Sequence, residues 1–272
     1  MNNKKMIVMD LDGTLLNKES NVTEISKKYL TQMKEKGNII VIASGRILNS
    51  VLMATEKAEF ANYIISDAGG AGYKKDNENK KWEKVFINKI EKETAKKFLT
   101  YFDKEKMRYI SVCDKYFIRK LTNEYFENSP IIKNFTELQS ILGETEEISH
   151  IAVTFKSNDF VDEYKKIFVK DFPTLDIKVM QDSFGKEKWL EISKKGVQKY
   201  KGIGQIAQIE NIPNENIIAF GDGLNDIDML QHSGIGVAMK NALPEVKEIS
   251  NYVTEKTNDE DGVIAFLDKY LK

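Results

Sequence analysis

What constrains this chain most is a series of short apolar runs: Met6–Met9, Ile39–Ala43, Tyr63–Ile65, Ile217–Phe220 and Ile235–Met239. A strand that is apolar on both faces must be covered on both faces. Helical patterns separate the runs, which predicts a parallel sheet sandwiched between helices. Ile25, Tyr29 and Met33 recur at a spacing of four, one face of a helix, with Thr23 placed as its N-cap and Gly37 just past its end. Further helices are expected at Ile47–Lys57, Val197–Ile209, Asn225–Gln231, Leu243–Ser250 and Gly262–Leu271.

The pattern changes after Gly72. Residues Lys74–Lys84 are strongly polar and read as a solvated hairpin or linker, in preference to a partner-binding charge run. Beyond them, Tyr109–Cys113 and Tyr116–Arg119 form a strand pair around an Asp114-Lys115 turn. Ile148–Phe155 alternates in part, Phe160, Tyr164 and Phe168 lie four apart on a helix, and Asp176–Met180 is a strand. The α/β pattern resumes at Trp189-Leu190-Glu191-Ile192. The expected architecture is α/β: a discontinuous Rossmann-like parallel-sheet core, residues 1–84 and 189–272, with an α+β cap domain inserted at 85–188.

Charge and cysteine usage narrow the function. The 272 residues carry 41 Lys+Arg against 42 Asp+Glu, a net charge of -1, which argues against nucleic acid as a partner. A lone cysteine, Cys113, excludes an internal disulfide framework and reads as a small core residue. No apolar run reaches the ~18 residues of a membrane span. The polar Met1–Lys5 leads into a run too short for a secretory signal, so the expected compartment is the cytoplasm. His150 and His232, the 2 histidines, lie outside any metal-like spacing; His232 is placed at a helix end, where it can satisfy carbonyls.

The chemistry lies in the loops after the apolar strands. Asp10-Leu11-Asp12-Gly13-Thr14 follows the first, at the edge where open α/β sheets bind ligands. Paired carboxylates there can divide labour, one attacking or holding a metal and the other moving protons; an ordinary Asp-Gly turn is the plainer alternative. Gly221-Asp222-Gly223-Leu224-Asn225-Asp226 offers the hard oxygens that Mg2+ favours, and also suits a helix N-cap. Ser44-Gly45-Arg46 can hold a phosphate with a hydroxyl and backbone N–H groups. Lys199, near a helix start, can neutralise phosphate charge. One sheet edge would gather a cation site, two carboxylates, a hydroxyl and an amine, which is what phosphoryl transfer needs.

In these motifs, and in the tail from Val237-Ala238-Met239 through Asn258-Asp259-Glu260-Asp261-Gly262, the chain resembles the haloacid dehalogenase (HAD) superfamily of phosphatases. The likeness is greatest to the Cof-type branch with a C2-type (IIB) cap. The resemblance implies a Mg2+-dependent phosphomonoester hydrolase acting on a small phosphorylated metabolite, a sugar phosphate or similar. It implies that Asp10 attacks phosphorus to form an aspartyl-phosphate and that Asp12 serves as acid and then base; the residues alone do not say which aspartate is the nucleophile. The implied metal ligands are Asp10, the Asp12 carbonyl and Asp222, with Asp226 acting from behind them or through water. The implied phosphate contacts are the Leu11 N–H, Ser44, Gly45, Lys199 and Asn225. The cap would close over the site and set specificity.

The chain departs from the family pattern in places. Ser66-Asp67-Ala68-Gly69-Gly70 stands where Ser-Asn-Gly-Ala is common, adding a carboxylate. The Gly69–Gly72 stretch fits neither nucleotide-binding motif and reads as a turn in preference to a phosphate cradle. Tyr200 follows Lys199 where glycine is usual and would crowd it, and Lys240 replaces a glycine. Tyr109, Tyr116, Phe117, Phe184 and Trp189 are assigned to the cap and its seam, some as substrate contacts. Two alternatives share the chemistry: a phosphomutase, and a phospho-aspartate signalling module without useful turnover.

Overall fold

The computed structural model describes residues 4–76, 78–101, 103, 105–112, 116–119, 131–132, 147–181 and 186–271. Cys113, the Asp114-Lys115 turn and Phe184 lie outside them. The chain forms two units, Met1–Phe86 with Gln198–Lys272, and Ile87–Val197.

In chain order the first unit begins with β1 (Met6–Met9), α1 (Glu24–Glu35), β2 (Ile39–Ala43), α2 (Leu48–Ala54), β3 (Tyr63–Ser66), β4 (Ala71–Lys75) and β5 (Trp82–Ile87). The second unit holds α3 (Lys92–Leu99), β6 (Met107–Val112), β7 (Tyr116–Arg119), β8 (Ile131–Ile132), β9 (His150–Phe155), α4 (Asp159–Asp171), β10 (Leu175–Gln181) and β11 (Lys188–Lys194). The first unit resumes with α5 (Lys199–Glu210), β12 (Ile217–Gly221), α6 (Ile227–His232), β13 (Ile235–Ala238), α7 (Pro244–Glu248), β14 (Tyr252–Val253) and α8 (Gly262–Tyr270).

The first unit is built on a sheet of order β14-β13-β12-β1-β2-β3-β4-β5. From β14 to β3 each neighbouring pair is parallel, and β4 is antiparallel to β3. Every residue of β1, β2 and β12 is buried, as strands covered on both faces require. β4 and β5 are neighbours, so the polar Lys74–Lys84 segment turns between two strands of the sheet.

Two expectations are corrected here. The buried face of α1 is Ser26, Leu30 and Met33, while Ile25 is 64% exposed. Ser26 takes a core-facing position because its hydroxyl donates to Asp261 at 2.7 Å, which satisfies a polar group that burial would otherwise penalise. Thr23 caps this helix as expected, accepting from the Ser26 N–H at 3.1 Å.

The second correction concerns β11. Its residues, including Trp189–Ile192, do not resume the core; they pair antiparallel with β10 and β9 in the second sheet, of order β10-β11-β9-β6-β7-β8. Leu190 and Ile192 are buried and Glu191 between them is half-buried, the period-two pattern of a strand with one covered face. The second unit therefore runs to Val197, past the expected boundary at 188. Its own core joins Ile110, Ile151, Val153, Leu190 and Ile192 to Phe98 of α3 and Phe168 of α4, whose ring centroids lie 4.5 Å apart. Fully burying each ring contributes about 1.5–3 kcal/mol.

Candidate active site

β12, β1 and β2 are adjacent and parallel, so their carboxyl ends deliver Asp222, Asp10 and Ser44 to one edge. The Asp10 N–H still donates to the Phe220 carbonyl at 3.1 Å, which fixes the first carboxylate on the strand tip. The chain then makes one wide turn, closed by Leu16 N–H to the Leu11 carbonyl at 2.9 Å. Gly13 sits in that turn at φ +77°, and a Cβ there would fall 2.2 Å from Asp222 Oδ2. Only glycine lets the loop pass this close to Asp222. Thr14 Oγ1 then donates to Asp222 Oδ1 at 2.8 Å, joining the first loop to the second.

Lys199, the first residue of α5, is fully buried between two carboxylates. Its Nζ donates to Asp10 Oδ1 at 2.6 Å and to Asp226 Oδ1 at 2.7 Å. Asp226 Oδ2 accepts the N–H groups of Asp222 and Gly223, both at 3.0 Å. Asp226 is thus committed on both oxygens and acts as the bracket of the cluster. Asp10, Asp222 and Asp226 offer oxygens within 4.8 Å of one another. Burial, followed by the charge of Asp226, pushes the Asp10 carboxyl up to about 8 despite Lys199. Burial, with Asp226 adding to it, pushes Asp222 up to about 6. Burial opposes the Lys199 ammonium, but Asp10 and Asp226 outweigh it and hold its pKa above the usual lysine range. One cation among three carboxylates leaves negative charge in excess. A donor set of hard oxygens with that excess fits a divalent cation.

Asp12 is different in kind. Its side chain is 57% exposed and takes a bidentate grip from Arg46, Nε to Oδ2 at 2.8 Å and Nη2 to Oδ1 at 2.6 Å. From the sequence Arg46 is expected only as part of a turn, and its hold on Asp12 emerges from the structure. The Ser44 N–H donates to the Ile65 carbonyl at 2.9 Å, so what Ser44 offers a ligand is its hydroxyl, which accepts from Arg46 N–H at 3.1 Å. Leu11 is buried in the turn after Asp10, Gly45 is half-buried beside Ser44, and Asn225 is exposed on the turn before α6.

The loop after β3 is an abutment. Asp67 and Ala68 both have φ +53°, and Gly69 has φ +105°. A Cβ on Gly69 would lie 2.3 Å from the Gln198 carbonyl oxygen, so the loop presses on the start of the helix that carries Lys199. The Asp67 N–H is tied to the Arg46 carbonyl at 3.1 Å. Tyr200 does not crowd Lys199: its ring stacks on His232 at 4.6 Å, and its N–H donates to Asp228 at 3.2 Å. His232 Nδ1 lies 2.7 Å from the Asp228 carbonyl, the helix-end role expected of it.

Comparison with known proteins identifies a family and a fold. The family model for haloacid dehalogenase-like hydrolases matches residues 7–267. The 5-amino-6-(5-phospho-D-ribitylamino)uracil phosphatase YitU of Bacillus subtilis is 26% identical, over 98% of this chain and 97% of its own. A crystal structure from Thermotoga maritima superposes with a TM-score of 0.80 at 27% identity, covering 98% of this chain and 97% of that one. A HAD subclass IIB sugar phosphatase superposes with a TM-score of 0.74 at 26% identity, covering 98% and 99%.

Proposed function

This chain belongs to the haloacid dehalogenase-like hydrolases, and on that premise we propose that it hydrolyses phosphate monoesters of small metabolites, sugar phosphates or similar, through an aspartyl-phosphate on Asp10. The observation that carries this reading is the buried Lys199 held between Asp10 and Asp226 at the shared edge of β1 and β12. Positive charge built into a dry site, beside a carboxylate on a strand tip, is suited to the charge of a transferring phosphoryl group.

In this mechanism Asp10 attacks phosphorus as the carboxylate, a form that a cation bound beside it would favour against burial. The ester P–O bond breaks, and Asp12 gives its proton to the departing oxygen. Asp12 then takes a proton from water, which attacks the aspartyl-phosphate and releases inorganic phosphate. Lys199 and the Ser44 hydroxyl hold the phosphoryl oxygens. Arg46 orients Asp12 through both of its oxygens, and one of these bonds opens for Asp12 to carry the proton. Asp10, Asp222 and the Asp12 carbonyl would hold Mg2+, with Asp226 bracing them; when bound, the ion supplies charge neutralisation and electrophilic polarisation of the phosphoryl group.

Selection of the ester is assigned to the inserted unit. Relatives similar over nearly their whole length act on different esters, a ribitylaminouracil phosphate in one case and a sugar phosphate in another. The test is phosphate release from p-nitrophenyl phosphate, a panel of sugar phosphates and 5-amino-6-(5-phospho-D-ribitylamino)uracil, with Mg2+ and with EDTA, beside Asp10→Asn. Release that requires Mg2+ and vanishes in the variant is expected. Release that Asp10→Asn retains would overturn the nucleophile assignment, and full activity in EDTA would overturn the metal.

A further inference from the structure

The turn that carries Asp12 is gripped from outside the catalytic cluster. Asn241, in the loop after β13, donates from Nδ2 to the Gly13 carbonyl at 2.7 Å, one residue beyond Asp12. Its Oδ1 accepts the N–H of Asn258 at 3.1 Å. That second bond settles the orientation of the amide: with its oxygen bound to Asn258, its nitrogen must face Gly13. The Asn258 side chain donates in turn to the Leu16 carbonyl at 2.8 Å. Asp259 accepts the Lys18 N–H at 2.6 Å, and Asp261 accepts the hydroxyls of Thr23 and Ser26, the latter at 2.7 Å. The tail turn is itself braced by Glu260, which accepts the N–H and hydroxyl of Thr257 at 3.1 and 3.0 Å.

Resting on the phosphatase reading above, we propose that Asn241, locked by the 258–261 turn, is a positioning residue for the acid–base carboxylate Asp12. The turn is closed by the Leu16–Leu11 bond and tied to Asp222 through Thr14, and the Asn241 bond acts on the peptide between Asp12 and Thr14. Gly13 has no side chain, and Asp12 is exposed and held by one flexible arginine. The Asn241 bond fixes the plane of the Gly13–Thr14 peptide, which sets Asp12 on one side and the Thr14 hydroxyl on Asp222 on the other. Lys199, Asp10 and Asp226 are held by their own buried bonds. Loss of the latch therefore loosens the turn that carries Asp12 while leaving Lys199, the main positive charge for the phosphoryl group, in place. A misplacement of about 1 Å in a reacting group can cost up to about a hundredfold in rate.

The test compares Asn241→Asp, which keeps shape and the acceptor for Asn258 but replaces the donor toward Gly13 with a charged oxygen, with Asn241→Ala, which removes both bonds without adding charge. Asn251→Ala is the control, because Asn251 makes a similar bond to the Gly236 N–H at 2.7 Å, away from the turn. Steady-state hydrolysis of p-nitrophenyl phosphate, thermal midpoint and hydrogen exchange of the 11–18 segment are measured in each. In both Asn241 variants kcat is expected to fall about tenfold, with KM within about twofold, the midpoint nearly unchanged and 11–18 exchange faster. Asn251→Ala lowers only the midpoint. Unchanged kcat, unchanged exchange, or an effect confined to Asn241→Asp overturns the latch. If the wild type turns over no ester, the phosphatase reading fails, and the exchange data alone decide whether the turn is held.

Discussion

Helix α5 begins with Lys199 and ends with Glu210, and its two ends are neutralised in opposite ways. A cation at a helix start and an anion at a helix end both oppose the macrodipole, so tertiary partners must hold each one. At the start, a single buried ammonium serves two carboxylates, with Asp222 close by. At the end, a single carboxylate accepts from Lys4 at 2.9 Å, Lys74 at 3.2 Å and the Tyr63 hydroxyl. Asp10 is accordingly pushed up to about 8, mainly by burial. Glu210 feels some burial too, but Tyr63, Lys4 and Lys74 bring it down to about 2. One end is short of positive charge, as a site for a cation and a phosphate requires, and the other is satisfied. The same helix carries both because it connects the site edge of the sheet to its opposite edge.

The largest expected effect breaks the under-neutralised end. Lys199→Met leaves Asp10 and Asp226 buried without their cation, a loss of roughly 3–5 kcal/mol in unfolding free energy. Turnover should fall by about a hundredfold or more, since a charge aimed at the phosphoryl group is gone. Urea unfolding and steady-state kinetics check both. Adding Asp226→Asn should recover part of the stability and none of the turnover. If Lys199→Met unfolds at the wild-type urea concentration, Lys199 does not carry the cluster's charge balance.

How much of this contrast was legible in the sequence depends on the range of the contacts. β1, β2 and β12 were readable because strands buried on both faces are continuous apolar runs, and the loops after them carried their carboxylates in view. β11 reads as part of the core because its apolar pair, Leu190 and Ile192, looks like a buried run, whereas Glu191 between them marks the other face of a strand covered on one side. The buried face of α1 is hidden from periodicity because Ser26 gains its place through Asp261, 235 residues away. The Arg46–Asp12 grip spans 34 residues, the Asn241–Gly13 bond 228 and the Lys4–Glu210 pair 206. Local periodicity carries no trace of partners that far apart. Lys199 itself was legible only because the other motifs called for an amine.

The satisfied end should respond in stability alone. Glu210→Gln keeps the shape and removes the charge, at an expected cost of about 1–2 kcal/mol, with kcat and KM unchanged. The pH dependence carries a definite sign. A carboxylate lowered from 4.5 to about 2 contributes stability that is fully present above pH 4.5 and is lost as pH falls toward 2. The gap between wild type and Glu210→Gln should therefore be constant near neutrality and close on acidification through that window. A gap that widens toward low pH would contradict the charge assignment at this end.

Lys74→Met should have the smallest effect, and it sharpens the contrast most. Lys74 is 49% exposed and 3.2 Å from Glu210, with its ammonium 5.3 Å from the Tyr63 ring centroid. An ion pair open to water is worth about 0–1 kcal/mol, because solvent and salt screen it and ordering the side chain costs entropy. Lys4 and the Tyr63 hydroxyl would still serve Glu210 after its removal. The expected loss is thus about 0.5 kcal/mol or less, shrinking further in high salt, and chemical denaturation at two salt concentrations measures it. Redundant donors make each one dispensable at this end, whereas Lys199 has no understudy among the described residues at the other. A salt-independent loss of about 2 kcal/mol or more, beyond what an exposed pair supplies, would mean that the Glu210 end is as tightly balanced as the site, and the contrast along α5 would fail.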